Sequence, residues 1–161
     1  MSFKDNRKAL DRFKRKIDSV EKMRLRVGVI GPKASAPHRG SKMTVAEIAA
    51  FHEFGFSAPK VPKRSFIRGW FDKKPQRFYA DQLNKAVQDG IKSSNVRAQV
   101  GRLGALYQGQ IQDFISQGIK PPLAASTIKR RAAKGISVDK VTPLIDTGQL
   151  RTSITWDIEA A

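Results

Sequence analysis

Cysteine is absent from this chain of 161 residues, which excludes disulfide scaffolds, thiolate zinc sites and cysteine nucleophiles. Histidine is scarce, with only His38 and His52, and acids are few: 14 Asp and Glu stand against 31 Lys and Arg, a formal charge of +17. No apolar run approaches the ~18 residues that cross a bilayer. The basic N-terminal stretch lacks the apolar core and small-residue cleavage site of a secretory signal. The expectation is therefore a protein that neither spans a membrane nor is secreted. What is present suffices for a core, since 40 % of the residues are hydrophobic and nine are Phe. The length fits a single domain over 1–161.

So large a charge excess points to nucleic acid, an acidic membrane surface or acidic protein partners. It falls in three clusters. Residues 1–26 carry ten basic side chains against four acids, residues 57–77 carry seven against Asp72 alone, and Lys120, Lys129, Arg130, Arg131 and Lys134 have no acid among them.

Apolar spacing supplies the elements. Phe3, Leu10, Phe13, Ile17 and Val20 share one side of a helix over about 3–21, ringed by basic residues. That stripe has to be buried, either on the rest of the chain or on a neighbouring subunit. The segment 24–30 alternates and is stopped by Gly31-Pro32, which reads as a strand. An aperiodic loop or long hairpin tip follows over 32–43. Thr44 and Glu47 have capping-box spacing and open a helix over about 45–54, which Gly55 ends. Pro59 and Pro62 make 57–65 an extended connector. Helical pattern resumes at Phe66-Ile67 and Trp70-Phe71, and a helix after Pro75 has Tyr79, Leu83, Ala86, Val87 and Ile91 as its inner face.

Val96, Val100, Leu103, Tyr107, Ile111 and Phe114 give the clearest helical period in the chain. Gly101, Gly104 and Gly109 lie within it, each costing ~1 kcal/mol against Ala, and the missing side chains imply close packing against another backbone. A short basic helix over about 124–133 ends at Gly135. In the last segment Ile154, Trp156 and Ile158 alternate with Thr155, Asp157 and Glu159, a strand with one apolar face. The architecture is α+β: a small antiparallel sheet packed against several helices, including a long amphipathic one. Two strands are marginal alone, so weaker strands within 33–43 and 137–143, or completion by a neighbouring subunit, are expected.

No catalytic set is visible. His52 and Glu53 are adjacent on a helix and point a third of a turn apart, and His38 has no carboxylate near it in sequence. Metal-ligand spacings, a phosphate loop and a nucleophile elbow are all missing. The expectation is a protein that is not an enzyme and carries no metal or cofactor. Nucleic-acid binding has more behind it, because Lys60, Lys63, Arg64 and Arg68 interleave with Phe66, Trp70 and Phe71. The competing reading makes those aromatics core and leaves the cations as a solvated face.

Two blocks resemble a known family. Ala46-Glu-Ile-Ala-Ala-Phe-His-Glu-Phe-Gly55 followed by Pro62-Lys-Arg-Ser-Phe-Ile-Arg68, and Pro143-Leu-Ile-Asp-Thr-Gly-Gln-Leu-Arg-Thr-Ser-Ile154, are similar to the two signatures of tailed-bacteriophage neck and tail-completion proteins, the virion-morphogenesis group with minor tail protein Z-like members. The resemblance covers roughly 24–159. It implies a virion protein, assembled in the host cytoplasm, that forms a homo-oligomeric ring joining the head connector to the tail. Its partners would be other copies of itself, head-connector and tail-terminator or tail-tube proteins, and packaged DNA held without sequence preference. Lys60, Lys63, Arg64, Arg68, Thr147, Leu150 and Arg151 are the residues expected at assembly or DNA-channel contacts. A non-specific nucleic-acid-binding module is the alternative.

Overall fold

Alternating segments at opposite ends of the chain pair with each other. In the computed structural model, which describes residues 3–57, 61–135, 137 and 142–160, strand β1 (Met23–Val29) runs antiparallel to β2 (Ile154–Ala160). Their register sets Leu25 opposite Ile158, Val27 opposite Trp156 and Val29 opposite Ile154, so one face is wholly apolar. On the other face Arg24 lies opposite Glu159 and Arg26 opposite Asp157, and Arg26 forms ion pairs with both acids.

Eight helices accompany the strands among the described residues: α1 (Phe3–Glu21), α2 (Pro32–Ser35), α3 (Val45–Phe54), α4 (Arg68–Phe71), α5 (Gln76–Lys92), α6 (Val96–Ser116), α7 (Ala125–Ala132) and α8 (Gln149–Ser153). The fold is α+β, as the spacing predicts. Within 33–43 there is no strand; the segment holds α2 and then a hairpin-like loop closed by an isolated bridge between Pro37 and Thr44. Most of 137–143 lies outside the described residues. The described sheet therefore has two strands and relies on helix packing for its stability.

That packing comes mainly from α6. Val96, Val100, Leu103, Tyr107, Ile111 and Ile115 are buried along it, while Phe114 sits at the edge of the stripe beneath the ammonium of Lys73. A Cβ at Gly101 would lie 2.9 Å from the Trp156 ring, and one at Gly104 would lie 2.9 Å from both Trp156 and Leu25. The close approach expected from these glycines is thus to an indole of β2 rather than to another backbone. Gly109 has open space beside it.

The other helices follow local rules. Thr44 caps α3 with the complete reciprocal box: the Glu47 N–H donates to Thr44 Oγ1 (3.2 Å) and the Thr44 N–H to the Glu47 carboxylate (2.7 Å). Gly55 ends it at φ +81°, a conformation that side chains resist. On α5, Tyr79 is buried and Ala86, Val87 and Ile91 are half-buried, but Leu83 is 40 % exposed. Leu83 overhangs an open groove instead of facing α6. The main core joins α3, α6, α8 and β2 through Val45, Ala49, Phe66, Ile111, Ile115, Leu150 and Ile154. Trp70, Tyr79, Leu103 and Tyr107 form a second cluster, and Val96, Val100 and Ile158 a third, which Val20 of α1 touches.

Candidate functional site

The two signature blocks meet at one place, and the side chain that organises the first of them is Glu53. Its carboxylate, on the buried side of α3, accepts from Ser65 Oγ (2.6 Å) and from the backbone N–H groups of Phe66 (2.8 Å), Ile67 (3.0 Å) and Arg68 (2.9 Å). One negative group thereby satisfies the free N–H groups at the entry to α4. Burial works to raise the Glu53 pKa, but the hydrogen bonds outweigh it and leave the carboxyl below its ordinary value. Glu53 is occupied as a structural clamp, and it makes no acid–base pair with His52.

Arg64 locks the same connector from the other side. It is 4 % exposed, and its guanidinium donates to the carbonyls of Pro121 (2.7 Å) and Pro122 (2.9 Å), while its backbone N–H donates to the His52 carbonyl (2.7 Å). His52 keeps a buried Nδ1 with no hydrogen-bond partner. Burial first, and then the charges of Arg64 and His38, push its pKa down to about 4, so at neutral pH the ring is uncharged.

The second block is held by Arg131 and Gln149. The Arg131 guanidinium donates to the Ile145 carbonyl (2.8 Å) and lies 3.3 Å from the Asp146 carboxylate. Asp146 is therefore engaged with α7 and does not cap α8. Gly148, at φ +74°, occupies the cap position without a side-chain bond, and Thr147 helps by accepting from the Gln149 N–H (3.3 Å). Gln149 reaches across to the 36–44 loop: its amide donates to the Pro37 carbonyl (2.9 Å) and accepts from the Arg39 N–H (2.8 Å). Leu144 holds φ +66° in this turn, a left-handed conformation costing about 1–2 kcal/mol in a branched residue, with its side chain buried in the main core.

Between the blocks lies a cleft of about 550 Å³, lined by His38, His52 and Arg64 on one side and by Arg130, Arg131 and the 144–150 turn on the other. Among the described residues Asp146 is the only acidic one lining it, and Arg131 already pairs with it. The cleft and its rim thus favour an anionic or acidic partner.

The expected contact residues separate into three groups. Lys63, Arg68 and Thr147 are exposed, and Arg151 is half-buried with its guanidinium donating to Ser116 Oγ (3.0 Å). Arg64 and Leu150 are buried, at 4 % and 3 % exposure, so they fix the fold beneath any contact surface and do not form the surface itself. Lys60 lies outside the described residues. Of the interleaved aromatics Phe66 is completely buried and Trp70 half-buried, while Phe71 is 40 % exposed and stacks on Tyr79 at 4.4 Å. The core reading holds for the first two.

Spacing alone missed Glu53, Arg131 and Gln149. The available signal for Glu53 was a carboxylate embedded between aromatic residues of an alanine-rich helix. Among the described residues no group of three His, Asp or Glu side chains is placed to hold a metal ion, and no helix is long and apolar enough to cross a membrane. No family model, curated protein or solved structure matches this chain.

Proposed function

We propose that this chain is a structural protein of the tailed-phage neck, forming a ring that joins the head connector to the tail around the DNA channel. The observation that carries the reading is that the two signature blocks are parts of one packed unit. Val45, Ala49 and Phe66 of the first share a core with Leu144, Leu150 and Ile154 of the second, and the cleft is built from both. Glu53, Arg64, Asp146 and Gln149 of the blocks each hold backbone or another side chain in place, as befits a scaffold. Localisation tests the proposal: the protein is tagged, and intact particles are imaged by electron microscopy. Density at the junction of head and tail is expected; label on the capsid shell, or loss of the protein from particles, overturns it.

A second reading, a non-specific nucleic-acid-binding module, is favoured by exposed cations along one stretch, Arg68, Lys73, Lys74 and Arg77, of which only Arg77 has an acidic partner among the described ion pairs, Asp81. Titration of a short DNA duplex separates the two. A binding module gives tight binding to free duplex that falls steeply with salt, whereas a neck protein needs no such affinity outside its ring.

A further inference from the structure

Among the described residues two surfaces lack a partner, and they differ in kind. The first is the apolar stripe of α1. Leu10, Phe13 and Ile17 are 52 %, 48 % and 36 % exposed, and within the stripe's described side chains only Val20 packs on the core. In proteins most of a helix's stability comes from tertiary packing of its amphipathic face rather than from propensity, so the stripe of α1 needs a cover.

The second is an open groove of about 910 Å³, bounded by β1, α3, α4 and α5 and floored by α6. Val27 and Val29 form one wall, and Phe54, Phe71 and Leu83 stand on its rim, 70 %, 40 % and 40 % exposed. The open side of the sheet explains its position. The outward carbonyls of Ile154 and Ile158 on β2 are taken by Gln112 and Arg97 of α6, and both residues are buried, at 0 % and 5 %. Their partners Val29 and Leu25 on β1 are only half-buried, because none of the described residues covers the groove beyond that strand.

We infer that the stripe of α1 from one copy seats in the groove of a second copy, an inference that rests on the ring reading for its self-association. The dimensions agree. Leu10 to Ile17 is two helical turns, about 10 Å, and the part of α5 that lines the groove, from Gln76 to Leu83, is the same length. Sinking one face of α1 with its flanking turns buries on the order of 1,000 Å² over both partners, the threshold for a specific interface. Each copy gives one helix and receives another, so the contact is head-to-tail, and such contacts close into rings when the rotation permits. Charge does not select the pair: α1 carries Arg12 and Arg15, while the groove is lined by Arg68 and Asp72 together, with the Glu53 carboxylate already held by backbone, so the apolar fit drives the contact.

The absence of native cysteine makes a direct test clean. Phe13→Cys and Leu83→Cys in one chain, oxidised in dilute solution, are expected to give covalent dimers and higher ladders. A chain with only Phe13→Cys mixed with one carrying only Leu83→Cys is expected to stop at the covalent dimer. In sedimentation velocity, Phe13→Asp and Leu83→Asp chains, each checked for native helix content by circular dichroism, should lose at least tenfold in self-association. An equimolar mixture of the two should recover a 1:1 dimer, because one intact helix and one intact groove remain. Assembly of both Asp variants as in wild type, or a cross-link confined to monomers, overturns the docking and leaves the ring reading standing. A wild-type chain that is monomeric at every concentration overturns both.

Discussion

Glu53 is the residue on which the local structure of the first block depends. Glu53→Gln keeps the size but replaces a charged acceptor of four hydrogen bonds by an amide whose NH₂ confronts N–H donors. A loss of about 3 kcal/mol is expected, read as a fall in the urea midpoint without change in slope; a shift below a third of that would mean that the backbone of 65–68 holds itself. His52 predicts a pH effect of definite sign. Its folded pKa of about 4 lies below the ordinary 6.5, so the unfolded chain takes up the proton first. Its contribution is complete above pH 6.5 and falls as pH drops towards 4. The Glu53 contribution, from a carboxyl held below its ordinary 4.5, is lost at still lower pH. Thermal melts of wild type and His52→Asn between those limits should diverge in slope, the variant being flatter. The burial of His52 on its helix face follows from the spacing, but the bonds made by Glu53 and Arg64 do not. Glu53 acts through backbone amides, which carry no sequence identity, and a buried Arg64 counts towards net charge as an exposed one does.

Elements were the most legible level because their signals are local. The capping box of α3, the period of α6 and the alternation of β2 need only neighbours within four residues, and each forms where the spacing puts it. What spacing could not supply was the partner: the α6 glycines announce a close approach, but only the strand register shows that Trp156 fills it. This gives a paired prediction. Gly104→Ala drives a Cβ to 2.9 Å from Trp156 and Leu25, and overpacking of about 1–3 kcal/mol should exceed the ~1 kcal/mol gained in helix propensity. Gly109→Ala meets nothing within 4 Å and should stabilise by about 0.5–1 kcal/mol. Denaturant titration of the two variants would decide it, and equal shifts would show that the indole moves aside freely. The Asp146 side chain marks the opposite limit: it stands just ahead of α8, yet a guanidinium from a different helix, α7, takes it.

Net charge now has a structural distribution that composition lacked. Among the described residues the ion pairs engage Arg26, Arg77 and Arg131, while Lys63, Arg68, Lys73 and Lys74 face solvent in a chain of net charge +17. Two molecules of such net charge repel one another, and the groove inferred to receive α1, lined by Arg68 and Asp72 together, offers no charge excess to offset that repulsion. Screening shortens that repulsion, since the Debye length falls from about 14 Å near 0.05 M salt to about 4 Å near 0.5 M, while burial of the apolar stripe is insensitive to it. Self-association should therefore strengthen as salt rises, the reverse of the salt response expected for duplex DNA, whose contacts release counterions. On the proposed ring reading, packaged DNA would take a part in assembly: a polyanion threading a basic ring would supply the countercharge that salt supplies in solution. Sedimentation velocity across that salt range, with and without a short duplex, measures both effects. The expected pattern is an assembly that is weak in low salt, strong in high salt, and restored in low salt by DNA. Assembly that instead weakens steadily with added salt would mean that opposite charges hold the copies together, and would move the interface from the apolar groove to the cation-lined cleft between the two signature blocks.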